Sequence, residues 1–147
     1  MRLSTKGIYG VLAVLDLTVH QTEGFVSLRS IADRHRLSES YLEQLFSVLR
    51  KKGILTGARG SQGGYALKKD PKNITVGMVL EALEGPLKLL DCKKGSKECN
   101  RYDFCITRRV WDRLGGAIGE VVNNITLQDL ADDYKAQGLK GQHMFYI

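Results

Sequence analysis

The residue types with the most distinctive chemistry in this sequence are its three cysteines, which all fall within fourteen residues. Six residues separate Cys92 from Cys99, and five separate Cys99 from Cys105. Three thiols on one short segment can bind a single soft metal centre. Positive neighbours lower the pKa of a thiol and favour the thiolate, which is the form that ligates a metal. Such neighbours are present at Lys93, Lys94, Lys97 and Arg101.

Three chemistries are open to this cysteine segment, which is too polar for buried structural cysteines. The residues favour an iron–sulfur cluster. Structural zinc usually uses paired Cys-x-x-Cys steps, and the sequence has none. A thiol–disulfide switch needs only two of the three thiols, so it stays open.

The expected compartment bears on that choice. The apolar run over residues 8–17 imitates an export signal, but Asp16 interrupts it and no small-residue cleavage site follows directly. No stretch approaches the roughly 20 apolar residues of a membrane span. We therefore expect a cytoplasmic protein without a membrane partner. In that reducing compartment, clustered cysteines favour metal or redox chemistry over disulfides.

The cysteine segment has to be part of a larger folded domain, and the composition indicates what kind of domain this is. A chain of 147 residues with 43% hydrophobic and 26% charged residues is typical of one globular domain. Its formal net charge of +6 suits a polyanionic partner such as nucleic acid. Because positive charge also merely solubilises many proteins, the placement of the basic residues has to decide.

Two short helices joined by a tight turn are predicted within residues 26–55. Ser38 or Ser40 caps the second helix, where Ser40 and Glu43 have the spacing of a capping box. Gly53 ends that helix. The positions expected to face a common core are Leu28, Ile31, Ala32, Leu37, Leu42, Leu45, Phe46 and Leu49.

A basic hairpin is predicted after the second helix. Residues 54–59 and 65–69 form two strands around the turn 60–64, whose glycines accept conformations closed to other residues. With the two helices this makes a winged helix-turn-helix, in which the second helix enters a major groove of double-stranded DNA. The structural alternative is a helical core with an ordinary hairpin and solvated lysines.

The winged-helix prediction assigns DNA contacts residue by residue. The second helix offers base-edge contacts from Ser38, Ser40, Tyr41, Glu43 and Gln44. In the wing, Gly60 permits close approach and Arg59 enters a narrow minor groove. Phosphate contacts are assigned to Arg50, Lys51, Lys52, Lys68 and Lys69.

Further helices are predicted on both sides of this unit. The first runs over about residues 5–21, and its apolar stripe comprises Ile8, Val11, Leu12, Leu15 and Val19. Residues 74–83 form another helix, and Thr126 with Asp129 begins the last one. The predicted fold class is therefore mainly α, with a two-stranded β wing.

A long helix over residues 107–123 is predicted to mediate dimerisation. Its apolar stripe is too long for a small core to cover alone, so it invites a partner helix and indicates a homodimer. The stripe comprises Val110, Leu114, Ile118, Val121 and Ile125. The predicted organisation is a DNA-binding domain over 1–85, a cysteine segment over 86–106, the dimerisation and terminal helices over 107–137, and a tail over 138–147.

Several short motifs of this sequence occur together in one known family. They are Met1-Arg2-Leu3-Ser4-Thr5-Lys6-Gly7, Ser40-Tyr41-Leu42-Glu43-Gln44-Leu45-Phe46, Arg59-Gly60 leading to Gly63-Gly64-Tyr65, the cysteine segment, Cys105-Ile106-Thr107 followed by Trp111, and Asn124-Ile125-Thr126-Leu127 with Leu130. In this combination the sequence resembles the Rrf2 family of bacterial winged-helix repressors, and most closely its iron–sulfur members. The resemblance covers about residues 1–134.

The resemblance implies a homodimer in which a long helix crosses to the partner and each subunit carries a winged helix. It also implies that three cysteines and one further residue hold a cluster, with 2Fe–2S favoured and 4Fe–4S as the alternative. Loading of the cluster changes which promoters are bound. The implied function is transcription regulation, usually repression, often of cluster-assembly genes. Regulation of cysteine metabolism, or a response to nitric oxide or thiol oxidation, is the alternative.

The fourth cluster ligand departs from the family pattern. Iron–sulfur members place a ligating histidine three residues after the third cysteine, where this sequence has Arg108, which stays protonated. Nitric-oxide-sensing relatives use an acid of the first helix, and the matching position is Ile8. The remaining candidate donors are Asp91, Glu98, Asp103, His35 and His143. Solvent or a small thiol can also complete such a site.

Two further classes of function are disfavoured. An electron carrier would use the cluster itself and has no need of a helix-turn-helix or a wing. A hydrolytic enzyme needs a Ser–His–acid or two-carboxylate arrangement, and none stands out in a supporting context. We therefore expect no enzymatic activity.

Overall fold

Six α-helices and one antiparallel hairpin make up the residues that the structure describes, 3–21, 24–89 and 101–141 of a computed structural model. The helices are α1 (Thr5–His20), α2 (Leu28–His35), α3 (Glu39–Lys51), α4 (Val76–Glu84), α5 (Arg108–Asn124) and α6 (Leu127–Gly141). The strands are β1 (Leu55–Ala58) and β2 (Gly64–Leu67). Single 3-10 turns cover Pro71–Asn73 and Tyr102–Phe104. The prediction of a mainly helical fold with a two-stranded wing is confirmed.

The helix-turn-helix and the wing are formed by α2, α3, β1 and β2. Arg36 adopts a left-handed conformation (φ 53°) that reverses the chain between the two helices. β1 pairs with β2 in antiparallel register, from Leu55 opposite Leu67 to Ala58 opposite Gly64. The largest fully buried side chains beneath them are Phe46, Leu17, Ile31, Leu42, Leu49, Leu55, Ile74, Leu127, Val14 and Val79.

The buried face of α1 is not the apolar stripe that the sequence predicted. Ile8, the first residue of that stripe, is 54% exposed. The residues that α1 buries are Gly7, Gly10, Ala13, Val14, Asp16, Leu17 and Thr18. A Cβ added at Gly7 would overlap Glu84, and one added at Gly10 would overlap Leu83. The two glycines let the end of α4 approach α1, which a hydropathy pattern does not register.

The first turn of α1 is capped by a side chain from a distant part of the chain. Ser4, the N-cap residue, makes no side-chain capping hydrogen bond, and the first turn contains no acid. Instead, Oε1 of Glu84 accepts hydrogen bonds from the backbone N–H groups of Ser4 (3.0 Å) and Gly7 (3.1 Å) and from the Ser4 hydroxyl (2.6 Å). A carboxylate there satisfies free N–H groups and opposes the positive end of the helix dipole. The contact joins the beginning of α1 to the end of α4.

A buried carboxylate joins α1 to α2. The side chain of Asp16 is 5% exposed, and it accepts hydrogen bonds from Nε (2.9 Å) and Nη2 (2.5 Å) of Arg34. Nε2 of His35 lies 2.8 Å from the same carboxylate, and Nδ1 of His20 lies 3.4 Å from it. Burial raises the pKa of Asp16, but the hydrogen bonds from Arg34 and His35 outweigh burial and hold this pKa below its usual range.

Two capping predictions meet different outcomes. α3 is capped by Ser38, whose hydroxyl accepts a backbone N–H of the first turn at 3.2 Å. The capping box proposed for Ser40 and Glu43 is wrong, because Ser40 already lies inside the helix. The prediction that Thr126 with Asp129 begins the last helix is confirmed, and the two residues form a capping box in which each backbone N–H donates to the other side chain, at 2.8 and 3.0 Å.

α5 lies at the surface and exposes its apolar stripe. None of its residues is buried, and Val110, Leu114 and Val121 are 51%, 46% and 59% exposed. Within the described ranges, no helix has the length and apolar character to cross a bilayer. The helix therefore leaves an apolar face open along most of its length.

Candidate functional site

An open groove of about 810 Å³ lies between the exposed face of α3 and the wing. Several of the residues to which the sequence assigned DNA contacts line it together, namely Ser40, Glu43, Gln44, Arg50, Lys51 and Arg59. The rest of the lining is Ser47, Val48, Gly57, Ala58, Gly64 and Tyr65. The fold thus brings helix residues and wing residues, which are distant in sequence, to one surface.

Helix periodicity explains how α3 contributes to this groove. Four of its groove residues recur at steps of four, three and four, which is the spacing of one helix face. They are Ser40, Gln44, Ser47 and Lys51. The sequence assignment missed Ser47 and Val48, although the three-residue step from Gln44 would have identified Ser47. The opposite face enters the core through Leu42, Leu45, Phe46 and Leu49.

The tip of the wing is tight, and it holds Arg59 beside the groove. Gly60 has a φ of 107°, which residues with a Cβ rarely adopt, and its carbonyl accepts the backbone N–H of Gly63 at 3.0 Å. A Cβ at Gly63 would overlap the backbone of Ala58. Arg59, which directly precedes this turn, is exposed.

Several assigned residues lie outside the groove lining. Ser38 uses its hydroxyl to cap α3. Tyr41 turns towards α1, where its ring meets Tyr9 edge-on at 6.4 Å between centroids, and its hydroxyl is buried with no hydrogen-bond partner among the described residues. The basic side chains that are exposed but lie outside the lining are Lys52, Lys68 and Lys69.

The groove is positively charged, with the cations Arg50, Lys51 and Arg59 against a single carboxylate, that of Glu43. Cations in a groove attract a phosphate backbone, and hydroxyl and amide groups form hydrogen bonds with base edges or phosphate oxygens. Its charge and its hydrogen-bonding groups are therefore suited to a nucleic-acid strand.

Cys105 is the one cysteine within the described residues, and it precedes α5 by three positions. Its Sγ lies 3.3 Å from the hydroxyl oxygen of Thr107. A hydrogen bond from Thr107, assisted by the backbone N–H of Arg108, lowers the pKa of the Cys105 thiol. A lower pKa favours the thiolate, which is the form that ligates a metal. The flanking Phe104 and Ile106 are 87% and 85% exposed.

Arg108, at the position where the family pattern places a histidine, is held by other contacts. It donates to the backbone carbonyl of Tyr102 at 2.8 Å, and its guanidinium lies 4.3 Å from the centroid of the Tyr102 ring. Its Nε also lies 3.7 Å from Asp112. Arg108 therefore contributes positive charge near Cys105 and no metal-ligating atom.

The further candidate ligands fall into three groups. His35 is bound to Asp16 in the cluster between α1 and α2, so its assignment as a metal ligand is not supported by the fold. Asp103 is exposed in the turn just before Cys105. The candidates outside the described residues are Cys92, Cys99, Asp91, Glu98 and His143.

Comparisons with known proteins agree with this arrangement. The chain matches the family model Rrf2, described as an iron-dependent transcriptional regulator, over residues 3–133. It is 44% identical over 133 residues to the HTH-type transcriptional regulator IscR of Pectobacterium atrosepticum, covering 90% of this chain and 80% of that protein. IscR of Photobacterium profundum is 42% identical over 142 residues, covering 97% and 82%.

Solved structures are similar in both sequence and fold. IscR of T. potens has 46% sequence identity and a TM-score of 0.76, with coverage of 93% of this chain and 91% of that chain. CymR of B. subtilis, described as the global cysteine regulator, has 39% identity and a TM-score of 0.75, with coverage of 90% and 97%. With its winged helix and its basic groove, the chain therefore belongs to the Rrf2 family and is a DNA-binding transcription regulator, not an enzyme.

Proposed function

We propose that this regulator is a cytoplasmic homodimer that binds operator DNA, usually as a repressor, and that an iron–sulfur cluster on its cysteine segment modulates the binding. Control of cluster-assembly genes would suit such a sensor. The observation that carries the proposal is the basic groove between α3 and the wing, which joins residues of both elements at one surface. The similarity to proteins named IscR supports the iron–sulfur part.

In the proposed complex, α3 lies in a major groove and the wing reaches the adjacent minor groove. Ser40, Glu43 and Gln44 are exposed in the first half of α3, from which side chains reach base edges. A sugar-phosphate backbone then passes between α3 and the wing, where Arg50 and Lys51 neutralise it. Lys68 contacts phosphate from outside the groove.

Arg59→Ala and Lys68→Ala are expected to have different effects on DNA binding. A test duplex is first selected from random-sequence DNA by the wild-type protein, and an unselected duplex of equal length serves as the reference. Arg59→Ala should weaken binding to the selected duplex by about 1–3 kcal/mol because it removes a groove contact. Lys68→Ala should weaken binding to both duplexes alike and reduce the salt dependence by about one unit. Titrations at several salt concentrations measure both quantities.

Unchanged affinity of the Arg59 variant for the selected duplex would contradict the role of the wing. An equal loss of affinity for both duplexes would make Arg59 a phosphate contact instead.

The homodimer is proposed from the open apolar face of α5. A helix of this kind is stable in water when a second apolar helix covers it. Pairing of α5 with its copy would place two winged helices on one DNA molecule. Recognition helices about 34 Å apart would then meet two half-sites of a pseudo-palindromic sequence.

The chemistry of the donor set fits an iron–sulfur cluster. Cys92, Cys99 and Cys105 would hold it, with 2Fe–2S favoured and 4Fe–4S as the alternative. When bound, the cluster supplies redox sensitivity. Thr107 donates a hydrogen bond that stabilises the Cys105 thiolate, and Arg108 offsets negative charge there. Because Cys105 lies three residues before α5, occupancy of the segment can bias the helix proposed to dimerise.

The cysteine variants test the cluster directly. Anaerobically purified protein is expected to be coloured, and Cys92→Ala, Cys99→Ala and Cys105→Ala should each remove the colour. The cluster should be fragile in air because its fourth ligand is weak or supplied by solvent. The variants should remain folded dimers, since the winged-helix core does not depend on this segment. Reconstitution with iron and sulfide, metal analysis and titration with the selected duplex provide the measurements.

A second candidate is a thiol-responsive regulator of cysteine metabolism or of nitric-oxide stress that holds no cluster. Two observations favour it, namely the similarity to CymR and the lowered pKa of the Cys105 thiol. Stoichiometric zinc, or absence of metal with a disulfide forming under oxidant, would exclude the iron–sulfur proposal. Equal DNA binding by loaded and empty protein would exclude a sensory role for the metal.

A further inference from the structure

We propose that Gln21, at the end of α1, is a positioning residue that sets the angle of the wing and thereby aims Arg59 at DNA. The inference rests on the proposed role of the wing in DNA binding. The hydrogen bond of Gln21 lies at the base of the wing, outside the groove. Gln21 would therefore affect DNA binding without contacting DNA.

The second strand of the wing has a partner on each edge. On one edge β2 pairs with β1. On the other edge, Tyr65 and Val26 exchange both backbone hydrogen bonds, each at 2.8 Å. Val26 belongs to the connection between α1 and α2, which therefore acts as a one-residue third strand. A Cβ at Gly64 would overlap the backbone of Val26, so the connection and the wing are in close contact.

Gln21 adds a second contact on this edge of β2, beside the backbone pair of Val26 and Tyr65. Backbone N–H groups of alternate strand residues point to the same edge, so the N–H of Leu67 points to the same side as that of Tyr65. The side-chain Oε1 of Gln21 accepts the Leu67 N–H at 3.0 Å. A side-chain amide thus takes the place of the backbone acceptor that a longer third strand would provide.

The helix that carries Gln21 is itself firmly held. The backbone N–H of Gln21 bonds to Leu17 as the C-cap of α1, and Leu17 is fully buried. The cluster at Asp16 fixes the same end of α1 to α2. Gln21 therefore links β2 to a helix end whose position is fixed by other contacts.

The wing also packs against α3. The ring of Tyr65 packs edge-on against Phe46 at 5.2 Å between centroids. The Gln21 contact acts at the base of the hairpin, where Leu67 lies opposite Leu55, whereas the contacts of Tyr65 lie nearer to the tip that carries Arg59. With its base released, β2 can turn about the contacts of Tyr65 with Val26 and Phe46, so loss of the Gln21 contact misdirects Arg59 without removing any group from the groove.

Three substitutions at Gln21 separate positioning from general destabilisation. Gln21→Met keeps the length but removes the acceptor, and Gln21→Asn keeps the amide but is too short to reach Leu67. Both are expected to speed hydrogen exchange of the Leu67 amide and to weaken binding to the selected duplex by about tenfold, since a backbone N–H loses its partner. Gln21→Glu, which retains an acceptor of the same length, should restore slow exchange and most of the affinity.

A double-mutant cycle shows whether the effect passes through the wing. In an Arg59→Ala background, Gln21→Met should cause little further loss of affinity, because the residue to be aimed is gone. In a Gln44→Ala background, which alters α3 alone, the two losses should be additive. Thermal unfolding of each variant establishes that the comparison is made between folded proteins.

Two results would overturn the inference. One is unchanged Leu67 exchange in the Gln21→Met variant. The other is a loss of affinity that is equally large with and without Arg59. Failure of the proposed function is a separate outcome, because it appears as unchanged binding of the Arg59→Ala variant with an intact Gln21.

Discussion

Replacing Asp16 by alanine is expected to lower the free energy of unfolding by about 3 kcal/mol, more than any other single charged-group substitution proposed for this chain. The substitution removes a buried carboxylate that binds two nitrogens of Arg34 and faces His35. The expected loss lies at the lower end of the range for broken buried pairs because the side chain of Arg34 is 36% exposed and can be rehydrated. Urea denaturation followed by circular dichroism measures the change.

Asp33→Ala provides the matched control, since Asp33 is an exposed aspartate on α2. Its loss should change stability by less than about 0.5 kcal/mol, as is usual for surface substitutions. Similar stability losses in the two variants would mean that the cluster between α1 and α2 contributes nothing specific.

The contribution of the Asp16 charge to the free energy of unfolding depends on pH, because the pKa of Asp16 is lowered in the folded protein. A carboxyl whose pKa is lower in the folded state than in the unfolded state stabilises the fold above its unfolded pKa, which is about 3.9. That stabilisation disappears as the pH falls through the lower, folded-state pKa. The stability gap between wild type and Asp16→Asn should therefore be constant near neutral pH and close in strong acid. A gap that persisted after complete protonation would have to come from packing alone.

Leu114→Asp is expected to convert the proposed dimer to monomers and to weaken binding to the selected duplex by about 100-fold or more. Leu114 is 46% exposed on α5, beside Val110 in a shallow surface groove. A carboxylate there would lose its hydration within an apolar helix–helix interface, which is strongly unfavourable. The loss of DNA affinity is large because two linked winged helices bind with high effective concentration, whereas a monomer binds one half-site. Sedimentation equilibrium and DNA titration measure the two effects.

Gln137→Asp, on the exposed part of α6, introduces the same charge outside the apolar stripe. It should leave both the mass in solution and the DNA affinity unchanged. A Leu114→Asp variant that sediments with the wild-type mass would contradict the assignment of α5 to the dimer interface.

The features predicted correctly from the sequence are those that depend on local periodicity. The groove face of α3 follows from a helical repeat, and the wing follows from a glycine-rich turn between two short strands. The stripe of α5 follows in the same way, from an apolar pattern that repeats along the helix. In each case the residues concerned are close in sequence and belong to one helix or to one hairpin.

The features that were missed depend on contacts between distant elements. Asp16 interrupts an apolar run in the sequence, and only the fold brings Arg34 and His35 to it. The buried face of α1 depends on glycines that admit the end of α4, so hydropathy pointed to the wrong face. Tyr41 is of a type that often contacts DNA, but its angular position on α3 turns it towards Tyr9.

The cap that Glu84 provides to α1 has a consequence for folding during synthesis. Its hydrogen bonds to Ser4 and Gly7 join residues 80 and 77 positions apart. At roughly 5–20 residues per second, the ribosome needs several seconds to make that intervening chain, and until then the first turn of α1 has no carboxylate partner. Cys92 follows Glu84 by only eight residues. The order of synthesis thus makes the cap of α1 available only shortly before the first thiol emerges, and the core is completed later still, when Leu127 has been made.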